Sequence, residues 1–447
     1  MVGTVGERIR KFWTLNEAAE AASDDNPLAP TRPEHKQEAW PMMTLAFGWG
    51  FLITGLLTGG NMAAGMPFWP DLIGAAFIGN SVNFVVGALI GYMGYKTACN
   101  SALLYRFTYG RIGVYLPVIF LAMLLTGWQG IVVGAFGFAW TQSYDSIWFY
   151  AVAIFAGVLY TATAYYGVKG IQKVSVPSVL ILVGVGIYAA YISIDKVGGW
   201  DAFLALSRQQ AQQKPITFGA GINMVIGSWI VGAVVMPEFT RFAKNGWVAI
   251  GIPFVVLMIS QYFLQVIGAM GASAFGAADF TTYMVKQGFV VAGLALIGMS
   301  LALWTTGDAN LYLPAVQTAS TFRKPQKAMV VLWGVLGTIL GLGIYQHFLN
   351  WINLLANIVP PLVGPMIVDY YIVHRCKYDT AHINNLQPWN VAALISYAVG
   401  AVSTFYTPQG IVEALWGLIV SMVAYLAIYL AMRVLGIKVG YTQVARA

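Results

Sequence analysis

The amino-acid sequence predicts an all-α membrane protein of twelve transmembrane helices. Three observations carry this: hydrophobic residues fill 58% of the 447 positions, charged residues fill only 9%, and the charges are spaced so that long runs contain none. That leaves too little polar surface to solvate a soluble globule of this size. No run alternates apolar and polar residues over its length, and lipid admits only helices or closed barrels, so the runs are read as helices.

In chain order the charge-free runs are 39–70, 72–95, 112–144, 146–168, 174–194, 215–237, 245–278 and 287–307, then 328–368, 380–412 and 414–432. Each can cross a hydrocarbon layer about 30 Å thick, which takes roughly 20 helical residues. Run 328–368 is about twice that length. It is interrupted by Gln346-His347, Asn350 and Asn353, and so divides into spans nine and ten. Ahead of the first run, residues 1–39 carry Glu7, Glu17, Glu20, Asp24 and Asp25 and no apolar segment of signal-peptide type, which predicts a cytoplasmic tail. The longest connection on the other side, 195–217, is amphipathic around Trp200-Asp201 and Gln209 to Gln213, as a surface helix or loop would be. No connection is long enough to hold another domain. The expected organisation is a tail over 1–39, a ten-helix core over 40–375, and two further helices with a tail over 376–447.

If the spans alternate sides, the tails and the loops after even-numbered spans hold all 24 basic residues except Lys196, Arg208, Lys214 and Lys286. The basic-rich side includes Lys169 and Lys173, and the excess predicts that both termini are cytoplasmic. Topology and anionic lipid then account for the net charge of +7, and no nucleic-acid partner is implied. Cys99 and Cys376 fall at predicted cytoplasmic span ends, where thiols stay reduced, so no disulfide is expected.

Two spans look broken. The first carries Thr58-Gly59-Gly60-Asn61 and Ala63-Ala64-Gly65. The sixth carries Gly227-Ser228-Trp229 with Gly232, and ends in Met236-Pro237-Glu238. Breaks at matching places in two halves point to an inverted-repeat transporter, because unwound backbone supplies carbonyls and amides at mid-membrane. The alternative is that these glycines only let helices pack closely. Span eight holds Thr305-Thr306-Gly307-Asp308-Ala309-Asn310. A carboxylate there is costly, so Asp308 faces either a working cavity or a buried structural hydrogen bond. Thr305 and Thr306 point about 100° apart on a helix and either bond their own turn or ligate a small hard cation. Span three sets Trp128 and Gln129 between glycines, an indole for stacking and an amide for a hydrogen-bonding edge, or simply packing. His35, His347, His374 and His382 lack metal-ligand spacing, and no metalloprotease, nucleophile-elbow or phosphate-loop motif occurs, so catalysis is not expected.

Several stretches together resemble the nucleobase:cation symporter-1 family, most closely its bacterial cytosine permease branch. They are Thr58-Gly59-Gly60, Gly91-Tyr92-Met93-Gly94-Tyr95-Lys96-Thr97, Arg106-Phe107-Thr108-Tyr109-Gly110, Gly127-Trp128, Glu238-Phe239-Thr240-Arg241-Phe242, Trp304-Thr305-Thr306, and Pro360-Pro361-Leu362-Val363-Gly364 leading to Asp369-Tyr370. The likeness runs from about residue 45 to 380. It implies a LeuT-type fold of two inverted five-helix repeats plus two extra helices, in the bacterial cytoplasmic membrane. It also implies import of a nucleobase or related cyclic amide by alternating access, coupled to sodium or in some members to protons.

By position, the resemblance implies a sodium site from the carbonyls of Gly48, Phe51 and Ala302 and the hydroxyls of Thr305 and Thr306. It places the substrate ring between Trp128 and Trp229 with polar contact from Ser228, and Gln129, Gly307 and Leu52 complete the expected lining. Two positions depart from the cytosine permease pattern: Leu125 stands where an amide is usual and Gly307 where an asparagine is usual. Edge hydrogen bonds set selectivity, so a purine, a pyrimidine vitamin precursor, allantoin or a hydantoin stays open beside cytosine. A receptor or channel on the same scaffold is the alternative class. The partners expected are a small heterocycle and the bilayer, with no cofactor beyond the coupling ion and a monomeric state. Glu238 to Arg241 and Asp369-Tyr370 are read as gating or structural ion pairs, or else as solvated helix ends.

Overall fold

The computed structural model of the chain describes residues 5–18, 26–166 and 171–437. Glu20, Asp24, Asp25 and Lys169 lie outside the described residues, as does the side chain of Lys173. Among those described, the only extended pairing is an isolated bridge between Gln37 and Ala243, and every named element is helical.

Among the described residues, nine helices are long and apolar enough to cross a membrane, and a bent pair, Ala39–Gly50 and Ile53–Ala63, makes a tenth span. Two shorter apolar helices, Gln326–Gly341 and Val391–Tyr406, stand where the sequence places spans nine and eleven. In order the spans are the bent pair, then Phe68–Thr97, Tyr115–Thr141, Ile147–Tyr165, Ile171–Lys196, Phe218–Thr240, Gly246–Phe275, Phe289–Phe322, Gln326–Gly341, Ile344–Val373, Val391–Tyr406 and Glu413–Val434. Spans nine and ten separate at Leu342 and Gly343, a few residues before the polar interruption noted in the sequence, whose Gln346-His347, Asn350 and Asn353 fall in the opening turns of span ten. The amphipathic connection after span five is a surface helix, Trp200–Ala211.

Packing follows an inverted repeat. Exchanging each span of the first five with its counterpart in the second five maps one set of helix contacts onto another: first on seventh and sixth on second, third on ninth and eighth on fourth, first on fifth and sixth on tenth. Small residues let the backbones meet. A Cβ on Gly59 would lie 1.9 Å from the Gln265 carbonyl oxygen, and one on Gly268 would lie 2.1 Å from that of Leu56, so only glycine allows the first and seventh spans to approach this closely.

The breaks are real but displaced from the glycine clusters. The first span turns by 43° between Gly50 and Ile53, leaving Phe51 and Leu52 non-helical, while Thr58-Gly59-Gly60 lies inside Ile53–Ala63. The sixth span runs unbroken through Gly227, Ser228, Trp229 and Gly232 and interrupts at Val235 and Met236, before the short turn Pro237–Thr240. Those glycines serve contact: Gly59 meets the seventh span, Gly227 meets the Ile352 carbonyl, and Gly232 makes room for the Trp229 ring.

Residues 26–38, just ahead of the first span, pack on the core. Asn100 Nδ2 donates to the Pro27 carbonyl at 2.8 Å, the Thr31 amide to the Ala98 carbonyl at 2.7 Å, and the Gln37 amide to the Phe242 carbonyl at 2.7 Å. Glu238, Arg241 and Asp369 are fully buried, which overturns the solvated-end reading. Glu238 accepts from the Ser101 amide, and Asp369 accepts from Tyr378 and Tyr425, tying the twelfth span to the tenth.

Candidate functional site

At the break in the first span, helix geometry leaves carbonyls without their usual partners. The Gly50 carbonyl accepts from Gln261 Nε2 at 2.6 Å, and Gln261 Oε1 lies 3.5 Å from the Thr54 hydroxyl. Gln261 ends a widened, π-helical stretch of the seventh span, Phe254–Gln261, and is fully buried. Such a turn re-aims side chains, and here it delivers an amide to the break, where the Gly50 carbonyl accepts both from it and from the Leu52 amide at 3.0 Å. Among the described residues, the Gly48 carbonyl accepts no backbone hydrogen bond from outside its own helix, and the Phe51 carbonyl, between the two helices, accepts none from a turn or loop.

The break faces the eighth span. Thr305 Oγ1 and Thr306 Oγ1 both donate to the Ala302 carbonyl, at 3.0 and 2.7 Å, so three neutral oxygens cluster there with lone pairs to spare. Among the described residues no group of three His, Cys, Asp or Glu is placed to hold a metal ion. Carbonyl and hydroxyl oxygens suit a hard cation of low charge, and the residues present fit that description.

One small cavity joins four spans. Trp49, Leu52 and Thr54 reach it from the first, Leu125, Trp128 and Val132 from the third, Ser228, Trp229 and Gly232 from the sixth, and Thr306, Asn310 and Leu313 from the eighth. On the third and eighth spans these residues sit three and four apart, one face of a helix. Trp128 is set edge-on to Phe348 and Trp351, with ring centres 6.2 and 6.4 Å away. Trp229 meets Trp49 edge-on at 4.8 Å, and Ser228 Oγ donates to the Val225 carbonyl. The space encloses about 30 Å³, on the scale of a single water and far below the size of ligand pockets. The structure is therefore closed around its centre, and a flat ring needs the walls to part.

Two residues expected in the lining are elsewhere. Gln129 lies one helical step from Trp128 and turns toward the ninth span, where a Cβ on Gly337 would come within 2.5 Å of its Cγ. Its amide is buried with both polar atoms unpartnered among the described residues, for which the structure offers no account. Gly307 lies one step from Thr306 and faces the Tyr160 ring, 2.4 Å from where a Cβ would stand. Asp308 also points away from the cavity. Thr163 Oγ1 donates to it at 2.5 Å, and Trp304 Nε1 bonds the same hydroxyl at 3.0 Å, the buried structural alternative.

Three residues outside the sequence expectation also stand here. Asn310 brings an amide to the cavity one turn beyond Thr306, Trp49 supplies a third indole, and Gln261 holds the break. The available signal was helical phase: from Thr306, the same face continues at Asn310 and not at Gly307.

The family profile described as a permease for cytosine/purines, uracil, thiamine and allantoin matches residues 31–434. The cytosine permease of Escherichia coli (strain K12) is 28% identical over 388 residues, covering 86% of this chain and 90% of the relative. The hydantoin permease of Microbacterium maritypicum is 23% identical over 438 residues, covering 87% and 86%. Among solved structures, Mhp1, described as a nucleobase-cation-symport-1 family transporter in a closed conformation with bromovinylhydantoin bound, superposes with a TM-score of 0.77. The two sequences are 20% identical, with 91% of this chain and 95% of that one covered. Its inward-facing form gives 0.76 at 21% identity, with 95% and 94% covered.

Proposed function

The chain belongs to the nucleobase-cation-symport-1 family, the permeases for cytosine/purines, uracil, thiamine and allantoin, and from that premise we propose that it imports a nucleobase-like flat heterocycle by sodium symport. The observation that carries the reading is the convergence of Trp128, Trp229, Asn310 and Thr306 with the broken first span on one buried cavity. Two indoles offer faces to both sides of a planar ring, and an amide offers a donor and an acceptor to its edge. Sodium would be held by the Gly48, Phe51 and Ala302 carbonyls with the Thr305 and Thr306 hydroxyls. A cation there bridges the broken first span and the eighth span, so its binding favours the same closed arrangement that grips the ring. That shared preference is what couples the two solutes.

The edge chemistry supports a ring with adjacent donor and acceptor groups over an apolar one. Asn310 supplies an amide in a neighbourhood where Leu125 and Gly307 supply none. A proton replaces sodium in this scheme only if a titratable group faces the cavity. Asp308 does not, since its carboxylate is turned to Thr163.

The test is uptake of radiolabelled cytosine, uracil, hypoxanthine, allantoin and hydantoin into proteoliposomes. Accumulation of at least one ring is expected under an inward sodium gradient and not under a potassium gradient of equal size. Uptake indifferent to sodium removes the coupling, and no uptake of any ring removes the substrate class.

A further inference from the structure

A second cavity, of about 360 Å³, opens at the mouth formed by loops after odd-numbered spans, the face that the basic residues mark as external. It lies along the same path as the central one. On the first span Thr54 lines the central cavity while Leu57 and Asn61 line the outer one, successive positions of a single helical face. On the third span Val132 belongs to the centre and Phe138 to the mouth. Phe348 separates them: it lines the outer cavity and stands edge-on to Trp128.

The outer cavity has the makings of a binding site. Its volume falls in the range of small-molecule pockets, which the closed centre does not. Phe138 and Tyr144 stack at 4.5 Å, and Tyr345 lies about 6 Å from both, giving a rigid aromatic wall. Opposite chemistry comes from Asp279. Its carboxylate accepts from the Thr281 amide at 2.8 Å, from the Thr281 hydroxyl and from the Tyr345 hydroxyl, and carries no ion pair among the described residues. Three donors leave a carboxylate about one acceptor position of its roughly four. Burial, and next the Asp279 charge, push the Tyr144 phenol up, so the wall stays neutral. An aromatic face beside a fixed, unneutralised acceptor suits a planar ring bearing N–H groups and repels an anion.

We propose that this outer cavity is a second, weaker docking site for the same class of flat, N–H-bearing heterocycle, holding it at the mouth before Phe348 gives way. The proposal rests on the transport reading above. Its geometry separates arrival of the ring from its enclosure between the indoles. Ring and wall meet first, and the central cavity opens to a ring already bound beside it.

The test is the stoichiometry of equilibrium binding to the full-length protein in lipid nanodiscs at saturating sodium, with each of the five radiolabelled rings named above. Wild type is expected to bind two equivalents of at least one ring, one tight and one weak. Trp128→Ala should weaken the tight site and leave the weak one. Tyr144→Ala and Asp279→Asn should do the reverse, weakening the outer site by about tenfold, as loss of a stacking face does. Asparagine caps a helix as aspartate does, so Asp279→Asn keeps the turn at Phe280 and serves as the folding-safe variant, while Tyr144→Phe should retain binding. One equivalent in wild type, lost in Trp128→Ala, overturns the outer site and leaves the transport reading standing. Two equivalents that both survive Tyr144→Ala and Asp279→Asn also overturn it. No ring bound at all removes the transport reading, and the proposal with it.

Discussion

Replacing Trp128 by alanine removes one of the two faces offered to the ring. Base–aromatic stacking is worth about 1–3 kcal/mol per base when measured by alanine substitution, which corresponds to roughly a 5- to 150-fold rise in Kd. Trp128 is 6% exposed, stands edge-on to Phe348 and Trp351, and lines the central cavity. Because that cavity holds only about 30 Å³, truncation also removes packing and should cost up to about 3–5 kcal/mol of stability, so folding is read alongside binding. Trp128→Phe keeps a face and should lose only about fivefold or less. The assay is equilibrium binding of a transported ring to purified protein at saturating sodium, with thermal unfolding measured on the same samples. A Kd for Trp128→Ala within about twofold of wild type, in protein that unfolds normally, would refute the stacking argument.

Thr306→Val keeps the shape of the side chain and removes an oxygen from the cluster around the Ala302 carbonyl. Loss of one ligand to a charged species, about 1.5–3 kcal/mol, should raise the sodium concentration for half-maximal uptake by roughly tenfold or more, with ring binding recovering at high sodium; an unchanged sodium dependence would speak against the site. Gly307→Asn, which supplies the amide that the resemblance to cytosine permeases leads one to expect there, should destabilise the protein by about 1–3 kcal/mol against the Tyr160 ring and leave selectivity unimproved. Asn310→Ala should instead flatten discrimination among rings in competition assays; a selectivity change confined to position 307 would reverse the assignment. Cys376 is exposed, whereas Cys99 is buried with its thiol pushed up to about 12 by burial. Maleimide at neutral pH should therefore label Cys376 alone, and Cys376→Ser protein should stay unlabelled until denatured; rapid labelling of Cys99 would contradict the packing at the base of the second span.

Much of the architecture was legible because lipid imposes a simple rule on the chain. Every crossing needs a long run without charge, and Lys96, Lys244 and Arg323 stand at or just beyond the ends of the second, sixth and eighth spans. The breaks were harder to place. Glycine both loosens a helix and lets a neighbour approach, and in Gly59 and Gly227 the second effect dominates because the partner helix supplies a backbone oxygen at contact distance. The real break in the first span falls at Phe51 and Leu52, two residues with no turn signal of their own, and is held by Gln261 from a helix more than 200 positions away in sequence. A single sequence does not announce that contact.

The neighbourhood of the cavity was readable to within one helical step. Trp128, Trp229, Ser228, Leu52 and Thr306 share the cavity, and Gln129 and Gly307, which face other interfaces, each adjoin a residue that lines it. Gln129 and Gly307 are polar or permissive neighbours of Trp128 and Thr306, and rotation of about 100° per residue carries both to other interfaces. Composition identified the neighbourhood, and only the helical phase fixed by packing decided which side chain faces inward.

The central claim is that a planar guest lies between two indoles, next to a cation at the opening in the first helix. A crystal structure of the protein with a brominated transported ring and sodium addresses it directly, through the anomalous signal of the bromine. The account predicts a single strong peak in the central cavity between the planes of Trp128 and Trp229, with the eighth-span hydroxyls adjacent. A peak on the far side of either indole, or against lipid, would contradict it.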